Sequence, residues 1–128
     1  MLAGPYTSGV AVGANGAALN NKDTPQRLTG EVLAIYVDYL HSPPNTTDVV
    51  ISTEGTHPAA PSIAILTLTN KNADGWFYPR KVPTGTDGAN LAALTVLEPI
   101  YIDDVVNISI DEANAADYVE CWFFLGGY

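Results

Sequence analysis

Apolar runs alternate with short polar breaks along most of the chain, a pattern typical of β-strands. The longest run is GEVLAIYVDYL, residues 30–40, which is rich in β-branched, aromatic and aliphatic side chains. Successive side chains of a strand point to opposite faces. One face of this strand is uniformly apolar and is predicted to lie in the core: Leu33, Ile35, Val37 and Tyr39. The other face contains Asp38 and is expected nearer to solvent.

Further strands are predicted at short intervals, separated by proline, glycine and Asp-Gly turns. Their predicted bounds are Asp48–Thr53, Ser62–Thr69, Gly75–Val82, Leu91–Leu97, Ile100–Ile102, Val105–Ile110 and Tyr118–Leu125. About eight short strands at this spacing favour an all-β fold, an antiparallel β-sandwich or jelly roll. A parallel sheet would need crossover helices, and the chain leaves no room for them.

Residues 1–28 differ from the rest of the chain. They are rich in Gly, Ala and Asn and show little apolar periodicity. They are therefore predicted to form an extended N-terminal arm with few contacts to its own core, ordered by a neighbouring molecule. The β-sandwich domain is expected to span residues 29–128.

Charge narrows the range of partners. The chain has fourteen Asp and Glu against five Lys and Arg, a net charge of −9. Such a surface repels phosphate groups, which disfavours nucleic acid and anionic membranes as partners. No apolar run approaches the ~20 residues that a membrane span needs. The single cysteine, Cys121, sits among aromatic residues and is predicted to be a small buried hydrophobe.

Two polar segments are candidates for chemistry. His41, Asp48 and the threonines between them lie in YLHSPPNTTDVVIST, residues 39–53, but Pro43-Pro44 and the capping side chains favour a structural corner between two strands. Asn70, Asn72, Asp74 and Gly75 match the first half of a calcium loop, but Lys81 stands where that loop needs a bidentate Glu. A hairpin turn is the favoured interpretation.

The carboxylate pairs Asp103-Asp104 and Asp111-Glu112 are predicted to be solvated surface, because neighbours along a strand point to opposite faces. The sequence thus predicts no catalytic residue, no metal site and no cofactor, and the chain is not expected to be an enzyme.

The C-terminal segment YVECWFFLGGY holds most of the large aromatic residues. Val119, Cys121, Phe123 and Leu125 share the face expected in the core. The opposite face carries Tyr118, Glu120, Trp122 and Phe124. Three interpretations of that second face stay open: a core rim, a platform for a sugar, or a subunit interface.

Three stretches together resemble small bacteriophage virion proteins encoded near capsid genes: GEVLAIYVDYLHSPPNTTDVVIST, ILTLTNKNADGWFYPR and IYIDDVVNISIDEAN. The resemblance covers roughly residues 28–125, and its most specific points are Thr46-Thr47-Asp48 and Tyr78-Pro79-Arg80. It implies a capsid decoration (cement) protein with a jelly-roll-like fold, commonly a homotrimer, made in the host cytoplasm and bound to the major capsid protein on the outside of the head.

The residues expected to contact a partner follow from the arm and from the outward aromatics: Pro5, Tyr6, Val10, Val12, Leu19, Arg27, Trp76, Tyr78 and Trp122. The arm would add backbone hydrogen bonds to a neighbour's sheet edge. The alternative function is a phage tail or fibre-tip module that binds a host surface carbohydrate, with Trp76, Tyr78 or Trp122 as stacking platforms.

Overall fold

The computed structural model describes residues 1–56, 61–90 and 97–127, which form nine β-strands and no helix. Within these ranges, no helix long and apolar enough to cross a bilayer is present. The strands are β1 (Leu2–Thr7), β2 (Ala18–Asp23), β3 (Leu28–Leu40), β4 (Asp48–Thr53), β5 (Ala64–Leu68), β6 (Gly75–Phe77), β7 (Ile100–Asp104), β8 (Val106–Ala113) and β9 (Tyr118–Gly126).

The strands form two sheets, and every described strand pair is antiparallel. In the first sheet β1, β9 and β3 lie side by side, and the far edge of β3 is shared by β7 and β6. The second sheet has the order β2-β8-β4-β5. This arrangement confirms the predicted antiparallel β-sandwich. The jelly-roll connectivity stays a prediction.

The core lies between the two sheets and comes from alternating positions of their strands. In β8, Val106, Ile108 and Ile110 are fully buried while Asn107 and Ser109 are partly exposed, as the sequence pattern predicts. In β9 the predicted core face is also confirmed: Val119, Cys121, Phe123 and Leu125 are all buried. At roughly 25 cal/mol per Å² of buried apolar surface, these two faces are a large part of the driving force for folding.

The predicted core face of β3 is right at three positions and wrong at one. Ile35, Val37 and Tyr39 are buried, but Leu33 is only half-buried, and Val32 is fully buried instead. The reason is a register shift between Val32 and Ala34 in the pairing with β9. A bulge inserts one extra residue and reverses which side chains face the core.

The predicted and observed bounds of the strands agree at β4 and differ at β6. β4 has the predicted bounds Asp48–Thr53. β6 ends at Phe77, five residues before the predicted Val82, because Pro79 cannot donate to a ladder. Beyond it, Lys81 forms only an isolated bridge with Glu98. Most of the predicted strand Leu91–Leu97 lies outside the described residues.

The N-terminal segment is not an extended arm, which corrects the predicted division at residue 28. β1 pairs with β9 and β2 pairs with β8, so the segment supplies an edge strand to each sheet. The N-terminal ammonium also donates to the Leu125 carbonyl at 2.7 Å.

The connection between β1 and β2 is also hydrogen-bonded to the rest of the sandwich. The Ser8 amide donates to the Val119 carbonyl at 3.1 Å, and the Ala11 amide donates to the Asp117 carbonyl at 2.8 Å. Ala3, Ala11 and Ala18 are buried and belong to the core. The N-terminal segment is therefore part of the sandwich.

Candidate functional site

The polar corner after β3 has a structural role. The His41 ring contacts the Asp117 carboxylate at 2.7 Å, and the Ser42 amide donates to the same oxygen at 3.0 Å. Asp48 instead accepts a hydrogen bond from the Asn70 amide at 2.9 Å. The hydroxyl of Thr47, which is fully buried, donates to the Pro44 carbonyl at 2.7 Å. The candidate set is thus divided among separate contacts: His41 contacts the Asp117 side chain, whereas Asp48 and Thr47 bind backbone groups.

Asp117 holds this corner to the turn before β9. Its carboxylate is fully buried and also accepts from the Asn114 amide at 2.8 Å. Burial alone would raise the pKa of Asp117, but hydrogen bonds from Ser42, His41 and Asn114 outweigh it and hold the pKa below its usual value. The charged carboxylate is therefore a structural tie between two connections.

Polar side chains of the loop from residue 69 to residue 75 form hydrogen bonds with the backbone near the end of β3. The Asn72 amide group donates to the Pro43 carbonyl at 3.0 Å, and the Asp74 carboxylate accepts from the Tyr39 amide at 2.7 Å. In the part of the chain that the structure describes, no group of three or more His, Cys, Asp or Glu side chains is arranged to hold a metal ion. The predicted hairpin is wrong: this segment connects β5 of the second sheet to β6 of the first sheet, and these two strands do not pair with each other.

The prediction of solvated surface holds for Asp103, Asp111 and Glu112, which are exposed, and is wrong for Asp104. Asp104 is buried and accepts from the Thr56 hydroxyl and from the Gly55 amide, whereas its neighbour Asp103 is exposed. The hydrogen bond from Thr56 is the main cause that lowers the pKa of Asp104. In the other pair, Glu112 lies beside Asp48, whose charge raises the pKa of Glu112.

The strongest candidate site is a patch on the outward side of the first sheet, which we call the aromatic face. It consists of Leu2, Tyr36, Trp76, Trp122 and Phe124. Trp76 is 47% exposed, Phe124 43% and Leu2 56%. A shallow groove is lined by four of these side chains. Exposed apolar patches of this kind commonly mark interaction sites.

Strand register brings the aromatic rings together. Tyr36 of β3 lies directly opposite Trp76 of β6 on one side and opposite Trp122 of β9 on the other. The ring centroids of Tyr36 and Trp76 are 5.3 Å apart, and those of Tyr36 and Trp122 are 6.0 Å apart. Both pairs meet edge to face, the geometry that aromatic quadrupoles favour. The three rings form one row across three strands.

Gly4 allows β1 to approach this row closely. A Cβ at Gly4 would lie 2.7 Å from the Cys121 carbonyl oxygen and 3.4 Å from a ring carbon of Trp122. Gly4 also has a φ of +130°, a conformation that other residues rarely adopt. The position therefore needs glycine, and the Trp122 ring can lie against the edge strand.

Three carboxylates lie along one side of the row, and we call them the acidic rim: Asp38, Asp74 and Glu120. Asp38 and Glu120 lie opposite each other, two positions along their strands from Tyr36 and Trp122 and therefore on the same face of the sheet. Burial, the charge of Asp74 and a hydrogen bond with it, and the charge of Glu120 all raise the pKa of Asp38. The site thus combines a row of one exposed ring, Trp76, and two half-buried rings, Tyr36 and Trp122, with concentrated negative charge.

Four predicted partner residues of the N-terminal segment differ in exposure. Val10, Val12 and Leu19 are exposed, Val12 at 74%, and Val12 bridges to Leu19 across a hairpin. Tyr6 instead packs on the core beside Phe123, with ring centroids 6.0 Å apart.

Three further predicted residues lie apart from the row of rings. Pro5 is exposed within the edge strand β1. Arg27 forms an ion pair with Asp103 at 3.5 Å. Tyr78 is strongly exposed just beyond the end of β6.

Of the nine predicted residues, the structure brings only Trp76 and Trp122 into the aromatic face. The prediction missed Tyr36 and Leu2 as site residues and noted Phe124 only as a neighbour of Trp122 on one strand face. The sequence does place Tyr36 on the outward face of β3. Its contacts with Trp76 and Trp122, however, depend on the register between strands that are distant in sequence.

Comparisons with known proteins identify no relative: no family model, no curated protein and no solved structure matches the chain.

Proposed function

We propose that this chain is a structural virion protein that decorates the outside of a phage head, where it binds the major capsid protein and assembles as a homotrimer. The observation that carries the proposal is the aromatic face, an exposed apolar surface on the outward side of the first sheet. Its Trp and Tyr residues are the types that dominate binding energy at protein interfaces. The resemblance of the strand and turn sequences to decoration proteins supplies the location and the trimer.

Charge supports the outside of the head as the location. A net charge of −9 gives the protein no attraction to packaged DNA. Individually weak contacts at many equivalent capsid sites would add up through multivalency. The proposal gives the chain no catalytic role, since His41, Asp48 and Asp117 are engaged in holding turns.

Co-sedimentation with phage heads assembled without this chain tests the proposal. Trp76→Ala should weaken head binding by roughly 30-fold or more, the loss expected for a central interface aromatic. Leu19→Ala is the matched control, because Leu19 is exposed and apolar but belongs to the second sheet. Binding that survives Trp76→Ala and fails with Leu19→Ala would place the contact on the hairpin and contradict the proposed face.

The row of rings also favours a second candidate function, a tail or fibre-tip module that binds a host carbohydrate. Aromatic rings on the outward side of a sheet can stack on sugar rings, and Trp76 is 47% exposed. A glycan array probed with the isolated protein tests this function. Specific glycan binding that is lost in Trp76→Ala would support it, and an array without signal would count against it.

A further inference from the structure

The acidic rim lies within reach of the row of rings. Side chains two positions apart on a strand share a face and are separated by about 7 Å along the strand. Asp38 therefore follows Tyr36 on the same face of β3, and Glu120 precedes Trp122 on the same face of β9. A side chain that covers Trp122 can contact both carboxylates.

The carboxylates of the rim form no ion pair among the described residues. The ion pairs in that part of the chain join Arg27 to Asp103, His41 to Asp117, and Lys81 to Glu98, and none involves the rim. The carboxyl of Asp38 is held near that of Asp74, and this repulsion contributes to its raised pKa. An incoming positive charge would relieve the repulsion, which makes the rim electrostatically complementary to a cation.

We propose that the aromatic face and the acidic rim together bind an arginine or lysine side chain on a basic segment of a partner protein. The inference rests on the proposed function and names the chemistry of the partner surface. A guanidinium placed over an indole gains a cation–π interaction, and its edges can donate to the carboxylates. Trp76 and Trp122 supply the rings, and Asp38 and Glu120 supply the acceptors.

Charge complementarity favours a basic protein segment over two other possible partners, a second copy of the chain and a neutral sugar. A second copy of the chain would bring another −9 to the interface and has only five Lys and Arg residues in all. A neutral sugar would gain from stacking but would leave the rim repulsion in place, since it adds no positive charge. A basic protein segment uses both halves of the site.

Binding of small capped amino acids tests the inference directly. The chain has two Trp residues, so two indole N–H signals in an NMR spectrum of the full-length protein report on the two sides of the row. We expect N-acetyl-arginine amide to shift both signals saturably. N-acetyl-citrulline amide, its neutral isostere, should bind at least about tenfold more weakly, because it lacks the charge that the site recognises.

The double variant D38N/E120Q should reduce arginine amide binding by about tenfold, while its melting curve shows that it remains folded. The matched control D87N/D111N removes the same number of charges from exposed positions that belong neither to the aromatic face nor to the acidic rim. The control should change binding by less than about twofold, because neither carboxylate belongs to the site and exposed charges are screened at physiological salt. Asp74 is left unchanged, because it also holds the Tyr39 amide.

Three results would overturn the inference: equal binding of the arginine and citrulline amides, an equal loss in both double variants, or indole shifts with methyl glucoside or methyl galactoside but none with arginine amide. Co-sedimentation with phage heads distinguishes a failure of this inference from a failure of the proposed function. If wild-type protein and D38N/E120Q bind heads equally, the cationic partner is wrong and decoration stands. If arginine amide binds as expected and heads are not bound, the cation site stands and decoration is wrong.

Discussion

Replacing Asp117 with alanine should destabilise the protein by several kcal/mol. The Asp117 carboxylate is fully buried and accepts from the His41 ring and from the Ser42 and Asn114 amides. A buried donor left without a partner costs about 1–3 kcal/mol. The His41 side chain is 56% exposed, so water can replace its bond. The Ser42 and Asn114 amides make partly buried hydrogen bonds, so each is expected to cost towards the lower end of that range, which gives a loss of about 2–4 kcal/mol from a total stability of roughly 5–15 kcal/mol.

Asp117→Asn should cost less, because one carbonyl oxygen remains as an acceptor. The two variants also differ from wild type in their pH dependence. The pKa of Asp117 is lowered in the folded protein, so its ionisation stabilises the fold above the usual carboxyl pKa. That contribution is lost as the pH falls through the lowered, folded-state value. Asp117→Asn should lack this part of the acid sensitivity.

Urea unfolding followed by tryptophan fluorescence measures these differences at neutral and acidic pH. Asp111→Ala is the control, because Asp111 is exposed and accepts only from the Glu112 amide among its described hydrogen bonds. It should change the stability by less than about 1 kcal/mol. Equal midpoints for Asp117→Ala and Asp111→Ala would refute the structural role of the buried carboxylate.

Three further predictions concern the core and the N-terminal segment. Tyr39→Phe should raise stability by about 1 kcal/mol in urea unfolding, because the buried Tyr39 hydroxyl has no partner among the described residues; a lower midpoint would contradict this. Cys121 should resist a thiol reagent at pH 8 until the protein unfolds, since burial raises its pKa to about 12; immediate labelling of native protein would be the opposite result. Deleting residues 1–26 should unfold or aggregate the protein, because it exposes the edges of β8 and β9; a soluble truncated protein with a wild-type melting curve would show that the segment is dispensable.

The strands with regular alternation were predictable from sequence, and the edge strands were not. β4, β8 and β9 have strong apolar periodicity between turn residues, and that signal is local. β1 and β2 contribute mainly alanines to the core, such as Ala3 and Ala18, and Gly4 adds no side chain. Small residues in an edge strand produce little difference in hydrophobicity between its two faces. The sequence therefore predicted an extended arm, although the segment is hydrogen-bonded to both sheets.

The aromatic face was only partly predictable for a different reason. The sequence places Trp122 and Phe124 on one outward strand face, because that depends on alternation alone. It does not show which strands are neighbours, so the contact of Tyr36 with Trp76 depends on tertiary pairing. The bulge near Leu33 was equally hidden, since a register shift depends on both strands of a pair.

Electron cryo-microscopy of the intact particle tests the proposed decoration function most directly. We expect density for a β-sandwich of this size on the outer surface of the head, above the local threefold axes of the shell. The first sheet should point its aromatic face towards the major capsid protein. A shell that lacks this density, or density for the sandwich only at the tail tip, would contradict decoration of the head.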